Sequence, residues 1–335
     1  MDSKAKINWV LILQAWAMLW VVIGHAPLLP VAEQQPLYVD ILYRFAYSFH
    51  MPLFILVSGY LFYMTRIERP MPYGRMILDK LKRLGIPYLF FTIVAMVLKT
   101  MFGEHMTRPS SISLGELVHS IIYPGEGPLS ELWFIAMILW MFILRPIWTF
   151  SFKHKYLPLL YIFLLTILHL YANSIEDIEL LSISSAMKNA IFFYLGLLTR
   201  KLNFINEGFK TKYLLGAFTI FFCIYVFAYR YEITLLPALF GIGLSISLAL
   251  LLNRYVPKTF SSFRNYTYQI YLMAIFVQIF IKILYKQNII PSYLVSYILC
   301  ILMGLYIPVI ISIIAKKINL KPINLCLGLT TKNIK

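Results

Sequence analysis

The sequence is short of charge, and especially of negative charge. Asp, Glu, Lys and Arg together make up 13% of its 335 residues, whereas a soluble globular domain carries about 25%. Hydrophobic residues reach 60%, which is more apolar surface than the core of a water-soluble domain could bury. These two observations exclude a soluble protein and predict a chain that lies largely within a lipid bilayer.

Cysteine is scarce as well. Cys223, Cys300 and Cys326 lie in apolar or near-terminal stretches without C-x-x-C spacing, so the sequence predicts no disulfide framework and no zinc or other metal site. The net charge of +16 could point to nucleic acid. However, the basic residues are spread along short connections and form no single arm, so membrane topology explains them better and no nucleic-acid partner is expected.

Ten apolar runs have the length of a membrane-spanning helix. Prolines, asparagines and charges separate them, as is typical of helix ends. The sequence therefore predicts an all-α polytopic membrane protein with about ten transmembrane helices between residues 8 and 315 and a short cytoplasmic tail, 316–335. The predicted spans are 8–29, 38–63, 84–103, 130–150, 156–173, 183–199, 213–231, 233–252, 267–286 and 291–315.

The distribution of charges tests this count. If the N-terminus is cytoplasmic, the connections on that side hold about three quarters of the 30 basic residues, as the positive-inside rule requires. Only a small minority of the 14 acidic residues fall there. One miscounted helix would invert every later connection, so the regular asymmetry supports ten spans with the N- and C-termini both cytoplasmic.

Two connections are unusual. The outer stretch 104–129 is long and contains SLGELVHSIIY, whose apolar residues share one helical face, so we expect a short interfacial helix there. The inner connection 64–83, interpreted as a loop, is the most basic in the chain. Because the sequence shows no internal repeat and no soluble domain, we expect a single membrane domain over residues 1–335.

Ionisable residues inside a bilayer are costly, so each one is a candidate for function. The candidates are His25, Arg44, His50, Glu131 and His169, all in the central or outer parts of their spans. His169 lies near the outer end of its span, where an interfacial residue is the simpler interpretation.

The first span carries Gln14 and His25, eleven residues apart. At 100° and 1.5 Å per residue they point the same way, within about 20°, and lie about 16 Å apart along the axis. A polar seam of this kind would let a donor from the cytoplasm meet an acceptor outside. The alternative is an interfacial His25 and a Gln14 that bonds to a neighbouring helix.

The second span carries Arg44 in its outer part and His50 near its middle, on different faces. Pro52 removes one backbone hydrogen bond, and the pair Ser58 and Gly59 follows further in. A broken helix with polar residues is typical of a cavity lining rather than of a lipid-facing helix. A buried structural arrangement of His50 and Arg44 with other helices is the alternative.

Charged residues also stand at two helix starts. Lys80, Lys82 and Arg83 precede the third span, where they satisfy the positive-inside rule and could also hold the phosphates of a nucleotide-like donor. Glu131 lies at the outer mouth of the fourth span, near the depth expected for His25. Its carboxylate could orient an imidazole, or it could simply be a helix-start acid.

Six stretches follow one another along the chain: LILQAWAMLWVVIGH, FHMPLFILVSGYLF, DKLKRLGIPYLF, ELWFIAMIL, AIFFYLGLL and NYTYQIYL. Taken in order, they resemble signatures of the acyltransferase-3 family of integral-membrane acyltransferases. Each apolar motif is weak alone, but the six together extend over about residues 7–280. Gln14 departs from the family, which usually has arginine there, and Ala274 stands where many members have histidine, whereas His25 matches.

The resemblance implies a membrane O-acyltransferase. It would take an acyl group, usually acetyl, from a cytosolic acyl-CoA such as acetyl-CoA, and transfer it to a hydroxyl of a cell-surface polysaccharide or lipid-linked glycan at the outer face. His25 would be the general base, with Glu131 orienting it, and no metal would take part. The acyl-CoA path would be lined by Gln14, Arg44 and His50, with the CoA phosphates held by Lys80, Lys82 and Arg83.

The family also implies a multi-pass protein of the bacterial plasma membrane. Two other functions remain open on the sequence. A transporter or flippase for a lipid-linked sugar would use a polar seam and a broken helix equally well. The second is a non-catalytic membrane component of a glycan-synthesis assembly, because Gln14 does not carry the positive charge of the arginine that the family usually has there.

Overall fold

A computed structural model describes residues 8–29, 35–101, 112–205, 208–230 and 235–329. Within these ranges the chain forms α-helices joined by short turns, including 3-10 and π-helical ones, and it contains no β-strand. The helices are α1 (Asn8–His25), α2 (Leu37–Phe62), α3 (Tyr73–Lys80), α4 (Ile86–Met101), α5 (Leu114–Ile122), α6 (Trp133–Ile143), α7 (Arg145–Phe150), α8 (Leu157–Ser174), α9 (Ile183–Lys201), α10 (Thr211–Arg230), α11 (Leu235–Tyr255), α12 (Thr267–Lys286), α13 (Tyr293–Ile318) and α14 (Lys321–Cys326).

Nine helical segments among the described residues are long and apolar enough to cross a membrane. They coincide with nine of the ten predicted spans, so the all-α polytopic fold is confirmed. The remaining span, 130–150, is interrupted: α6 ends before Leu144, and α7 begins with Arg145 and Pro146. Proline is favoured in the first turn of a helix, where no backbone donor is needed, which explains a new start at this point. The side of the membrane that each terminus faces stays a prediction.

Some predicted elements extend beyond the described residues. These are the ends of 84–103 and 213–231, the starts of 233–252 and 104–129, and the ends of the tail 316–335 and the domain 1–335.

The described part of the outer stretch contains the expected short helix, α5. Ser113 caps its N-terminus by accepting a hydrogen bond from the backbone N–H of Glu116 at 3.1 Å. Leu114 and Val118 are exposed on one side of α5, which is the arrangement that an interfacial helix needs. Its position in the membrane interface stays a prediction.

The basic connection 64–83 is not the loop that the sequence suggested, because it is helical over most of its length. A π-helical turn, Tyr63–Ile67, continues α2, and a second one, Leu81–Gly85, joins α3 to α4. π-helical turns are rare and frequently occur at functional sites. Both turns carry basic side chains, Arg66 in the first and Arg83 in the second.

The chain divides into two compact units. Unit 1 comprises Met1–Val57 and Asn203–Ile314. Its central helix is α1, which packs on α11 and α12 and is buried on all sides over most of its length. A helix that is apolar all round belongs in the interior of a bundle. The core between α1 and α12 includes Ala15, Met18, Val22, Ile270 and Ala274.

Unit 2 comprises Ser58–Leu202 and Ala315–Lys335. Its central helix is α9, which contacts α6 and α8 and also carries the backbone against which Gly59 packs. A Cβ atom at Gly59 would overlap the carbonyl oxygen of Phe193, so only glycine allows this approach. Whether the two units act as one domain stays a prediction.

Candidate active site

His25 is the last residue of α1 and is half-buried, although most of α1 is fully buried. The helix ends here because Pro27 follows two residues later, and the residue before a proline avoids the helical conformation. The imidazole lies edge-on to the ring of Tyr47 in α2, with 6.0 Å between ring centroids. Gly24 permits this approach, since a Cβ there would lie 3.1 Å from Cε2 of Tyr47.

His50 contacts the same tyrosine. Its ring is edge-on to Tyr47 at 5.0 Å between centroids, and its side chain is buried. Nδ1 of His50 is 2.5 Å from the carbonyl oxygen of Ala46. Because a carbonyl oxygen only accepts, Nδ1 carries the proton and Nε2 is the nitrogen left to accept one. The structure thus brings two of the predicted residues, His25 and His50, to one aromatic ring.

Gln14 and Arg44 are not at this ring. Gln14 is half-buried in α1, about 16 Å along the axis from His25 at the helical rise. Arg44 is largely exposed and forms an ion pair with Asp40, four residues earlier, at 2.9 Å. An exposed pair at this spacing contributes little stability. The predicted roles of both residues on a donor path stay predictions.

Ala274, which the resemblance matched to a histidine of the family, belongs to the apolar core. Ala274 is buried in α12 and packs in the cluster that includes Met18 and Val22 of α1. Ala274 therefore supplies packing and no polar group to the site.

Two residues of α12 that the sequence reasoning missed bind the end of α1. Nζ of Lys282 donates to the carbonyl oxygen of His25 at 2.9 Å. Nε2 of Gln278 donates to the carbonyl oxygen of Val22 at 2.8 Å. The signal was available, because Lys282 is an ionisable residue within the predicted span 267–286.

In unit 2, the three predicted phosphate-binding residues do not share one environment. Lys82 and Arg83 are exposed in the second π-helical turn. Nζ of Lys80 instead lies over the ring of Phe142, 3.7 Å from its centroid, and 5.7 Å from that of Phe62. A cation over an aromatic face is stabilised by the ring quadrupole, most strongly where water is excluded.

Further basic groups lie in the first π-helical turn and at the end of α9. Arg200 pairs with Glu68 at 2.9 Å, and its guanidinium lies over the ring of Tyr60 at 5.8 Å. Within the described residues, the buried Nε of Arg66 has no hydrogen-bond partner. Unit 2 therefore presents several cations on the π-helical turns and the helices beside them.

Glu131 lies in a 3-10 turn, Ser130–Leu132, directly before α6, and it is half-buried. It belongs to unit 2 and His25 to unit 1. A pairing of the two side chains stays a prediction.

Unit 2 also contains a cavity of about 530 Å³ between α6, α7, α8 and α9. The two indole N–H groups in its lining donate elsewhere, from Trp140 to the carbonyl of Leu181 and from Trp148 to that of Met141. The predicted site residues do not line it. Its apolar surface offers no acid, base or charge for chemistry, so we do not regard it as the reaction site.

In the described part of the chain, no group of three or more His, Cys, Asp or Glu side chains could hold a metal ion. Comparison with known proteins gives one positive finding, a family model described as an acyltransferase domain, which matches residues 7–313. The comparisons with curated proteins and with solved structures found no match.

Proposed function

The chain belongs to the acyltransferase-3 family of membrane proteins, and on this premise we propose that it transfers an acyl group from acyl-CoA to a glycan hydroxyl, with His25 as general base. The donor is acetyl-CoA or another acyl-CoA. The acceptor is a hydroxyl of a cell-surface polysaccharide or a lipid-linked glycan at the outer face of a bacterial plasma membrane. The observation that carries the proposal is the half-buried His25 beside Tyr47 and His50, at the end of the most central helix of unit 1.

His25 is required to remove one proton from the acceptor hydroxyl. A sugar hydroxyl is a poor nucleophile, and imidazole exchanges a proton near neutral pH, so it can take the hydroxyl proton as the oxygen attacks. An ester C–O bond forms at the carbonyl carbon, and the C–S bond of the thioester breaks. The proton held by His25 then passes to the leaving sulfur, and the product is free CoA.

The neighbours of His25 support this role by fixing its surroundings. The ring of Tyr47 contacts both imidazoles edge-on. The Nδ1–H of His50 donates to the carbonyl oxygen of Ala46, so Nε2 of His50 points away from that carbonyl. A fixed arrangement of this kind is what general-base catalysis requires, because a base that moves by an ångström loses much of its effect.

On the donor side, Lys82 and Arg83 suit CoA phosphates best, because both are exposed and arginine offers a forked pair of donors. Lys80 would have to leave the faces of Phe62 and Phe142 to join them. Gln14 and Arg44 remain in the proposal as positions along the acyl path. Glu131 remains the group proposed to orient His25.

The proposal is tested with labelled acetyl-CoA. Membranes that contain the wild type, His25→Ala or the control His154→Ala are given acetyl-CoA labelled in the acyl group, and the label is followed into extracted glycan and lipid-linked sugars. His154 is an exposed histidine in the turn after α7, which makes it a matched control. We expect transfer by the wild type and the control, and a loss of about 100-fold or more with His25→Ala.

The outcomes separate the alternatives. If the wild type transfers no acyl group from any acyl-CoA supplied, the enzyme proposal fails, and a sugar transporter or a non-catalytic assembly component takes its place. If His25→Ala transfers as well as the wild type does, His25 is not the base.

A further inference from the structure

The carbonyl oxygens in the C-terminal turn of α1 need donors from elsewhere, because no backbone N–H of the same helix reaches the last carbonyls of a helix. Three of them have partners in this structure. Gln278 donates to Val22, the backbone N–H of Ala26 to Ile23, and Lys282 to His25. Two of these three donors are side chains of α12, so α12 fixes the end of α1 where the proposed base lies.

The two donors of α12 are matched to the two carbonyls by helical spacing. Gln278 and Lys282 are four residues apart and lie on one face of α12. Their acceptors, Val22 and His25, are three residues apart on α1, and the numbers rise together, so the two helices run in the same direction. A single face of α12 thus follows the last turn of α1.

The third helix behind this contact restricts it further. A Cβ atom at Gly304 of α13 would lie 3.2 Å from Cγ1 of Val22 and 3.4 Å from Nε2 of Gln278. Gln278 is fully buried, and within the described residues its Oε1 has no hydrogen-bond partner. The side chain of Gln278 is therefore held by packing and by its hydrogen bond to Val22. It leaves little room for the end of α1 to move.

Lys282 is the member of this contact that packing alone does not explain. A neutral amide would satisfy the His25 carbonyl, as Gln278 does for Val22, whereas a lysine within a membrane span is costly and marks function by default. The C-terminus of a helix carries a partial negative charge, which a cation there neutralises. Negative charge also develops on the acceptor oxygen and the thioester carbonyl during transfer, so an unneutralised helix end beside the base would oppose it.

We propose that Lys282 is a positioning residue for His25: it holds the terminal carbonyl of α1 and supplies a fixed positive charge at this end of the helix. The proposal rests on the function proposed above for His25. It assigns Lys282 to the site through its bond to the His25 backbone and not through contact with substrate.

Three variants of Lys282 separate the hydrogen bond from the charge. Lys282→Arg keeps both, Lys282→Gln keeps a donor without charge, and Lys282→Met keeps neither. In transfer assays we expect kcat within about threefold of wild type for arginine, about tenfold lower for glutamine and about 100-fold lower for methionine. The KM values for acyl-CoA and acceptor should stay unchanged, because the lysine does not bind either. Lys286→Met, at an exposed position one turn further on, is the matched control.

A second measurement does not depend on activity. Diethyl pyrocarbonate modifies accessible imidazoles, and mass spectrometry gives the rate at each histidine. We expect the rate at His25 to rise at least about threefold in Lys282→Met, because loss of the bond frees the end of α1. The rate at His154 should not change. Unfolding midpoints of all variants, measured in the same detergent, show whether the fold is intact.

The two proposals fail differently. If glutamine and methionine retain wild-type kcat, or arginine is as poor as methionine, or the His25 modification rate is unchanged in Lys282→Met, the role of Lys282 is overturned. If the wild type transfers no acyl group at all, the proposed function fails, and the modification rate alone then decides whether Lys282 positions His25.

Discussion

The candidate site residues of unit 1 and those of unit 2 are held by different means. In unit 1, side chains of α2 and α12 bond to backbone carbonyls, as with His50 and Ala46 or Lys282 and His25. In unit 2, the ammonium of Lys80 faces an aromatic ring, and the exposed cations beside it stand on π-helical turns.

The difference has a consequence for function. A carbonyl acceptor fixes its donor in direction and distance, whereas a ring face accepts a cation over a broad range of positions. Unit 1 is therefore suited to hold a base in one place. Unit 2 is suited to charged side chains that must rearrange when an anionic ligand binds.

A second contrast between the units concerns two glycines, and it carries the largest expected effect. A Cβ at Gly59 would meet the backbone of Phe193, which cannot move without α9, whereas a Cβ at Gly24 would meet the half-exposed ring of Tyr47, which can rotate. We expect Gly59→Ala to cost about 1–3 kcal/mol of unfolding free energy, as overpacking does. Gly24→Ala should cost less than Gly59→Ala. Thermal unfolding in detergent, followed by size-exclusion of the heated samples, measures both.

Gly216→Ala is the matched control, since nothing lies within 4 Å of a Cβ at this exposed helical position. We expect no loss there, because alanine favours a helix more than glycine does. A Gly24→Ala protein less stable than Gly59→Ala would contradict this second contrast, in which a Cβ at Gly59 meets backbone and a Cβ at Gly24 meets a side chain.

A smaller effect is expected at His50. His50→Phe keeps a ring beside Tyr47 but removes the donor to Ala46, so the second imidazole of the site is lost while its shape remains. We expect label transfer from acetyl-CoA to fall about tenfold, the size of a supporting group rather than of the base itself. Parallel transfer assays with His154→Phe, an exposed histidine, provide the control. Equal losses in the two variants would show that His50 has no specific place in the site.

Much of the fold could be predicted from the sequence because a bilayer allows few solutions. Runs such as 233–252 and 291–315 are too apolar and too long for anything but spanning helices, and the structure places α11 and α13 there. The span 130–150 could not be predicted correctly, because its break at Leu144 depends on where α6 ends and on a proline that is also allowed inside longer spans.

The site was predicted in part for a similar reason. His25 and His50 stand out because an imidazole in an apolar run is costly, and the structure brings both to Tyr47. Lys282 lies in an apolar run as well, but its partner, a backbone carbonyl 257 residues away in sequence, could not be predicted. The ring that faces Lys80 belongs to Phe142, and contacts of this range leave no periodic signal.

The smallest effect is expected among the cations of unit 2, where Arg83 and Lys80 should differ. Arg83→Gln removes an exposed forked donor, so we expect KM for acyl-CoA to rise about fivefold, with less dependence on salt than in the wild type. Lys80→Met replaces an ammonium already held by Phe62 and Phe142, so we expect KM to change by less than about twofold. Steady-state transfer at two salt concentrations gives both values.

Lys258→Gln, an exposed lysine of unit 1, controls for the general loss of one positive charge and should leave KM unchanged. The opposite result would be that KM for acyl-CoA rises more with Lys80→Met than with Arg83→Gln. It would mean that Lys80 leaves the two rings when the donor binds, and that the cation–π contact is the resting position of a phosphate ligand. The contrast between the units would then become one of motion, with His25 fixed by carbonyls in unit 1 and Lys80 released from a ring in unit 2.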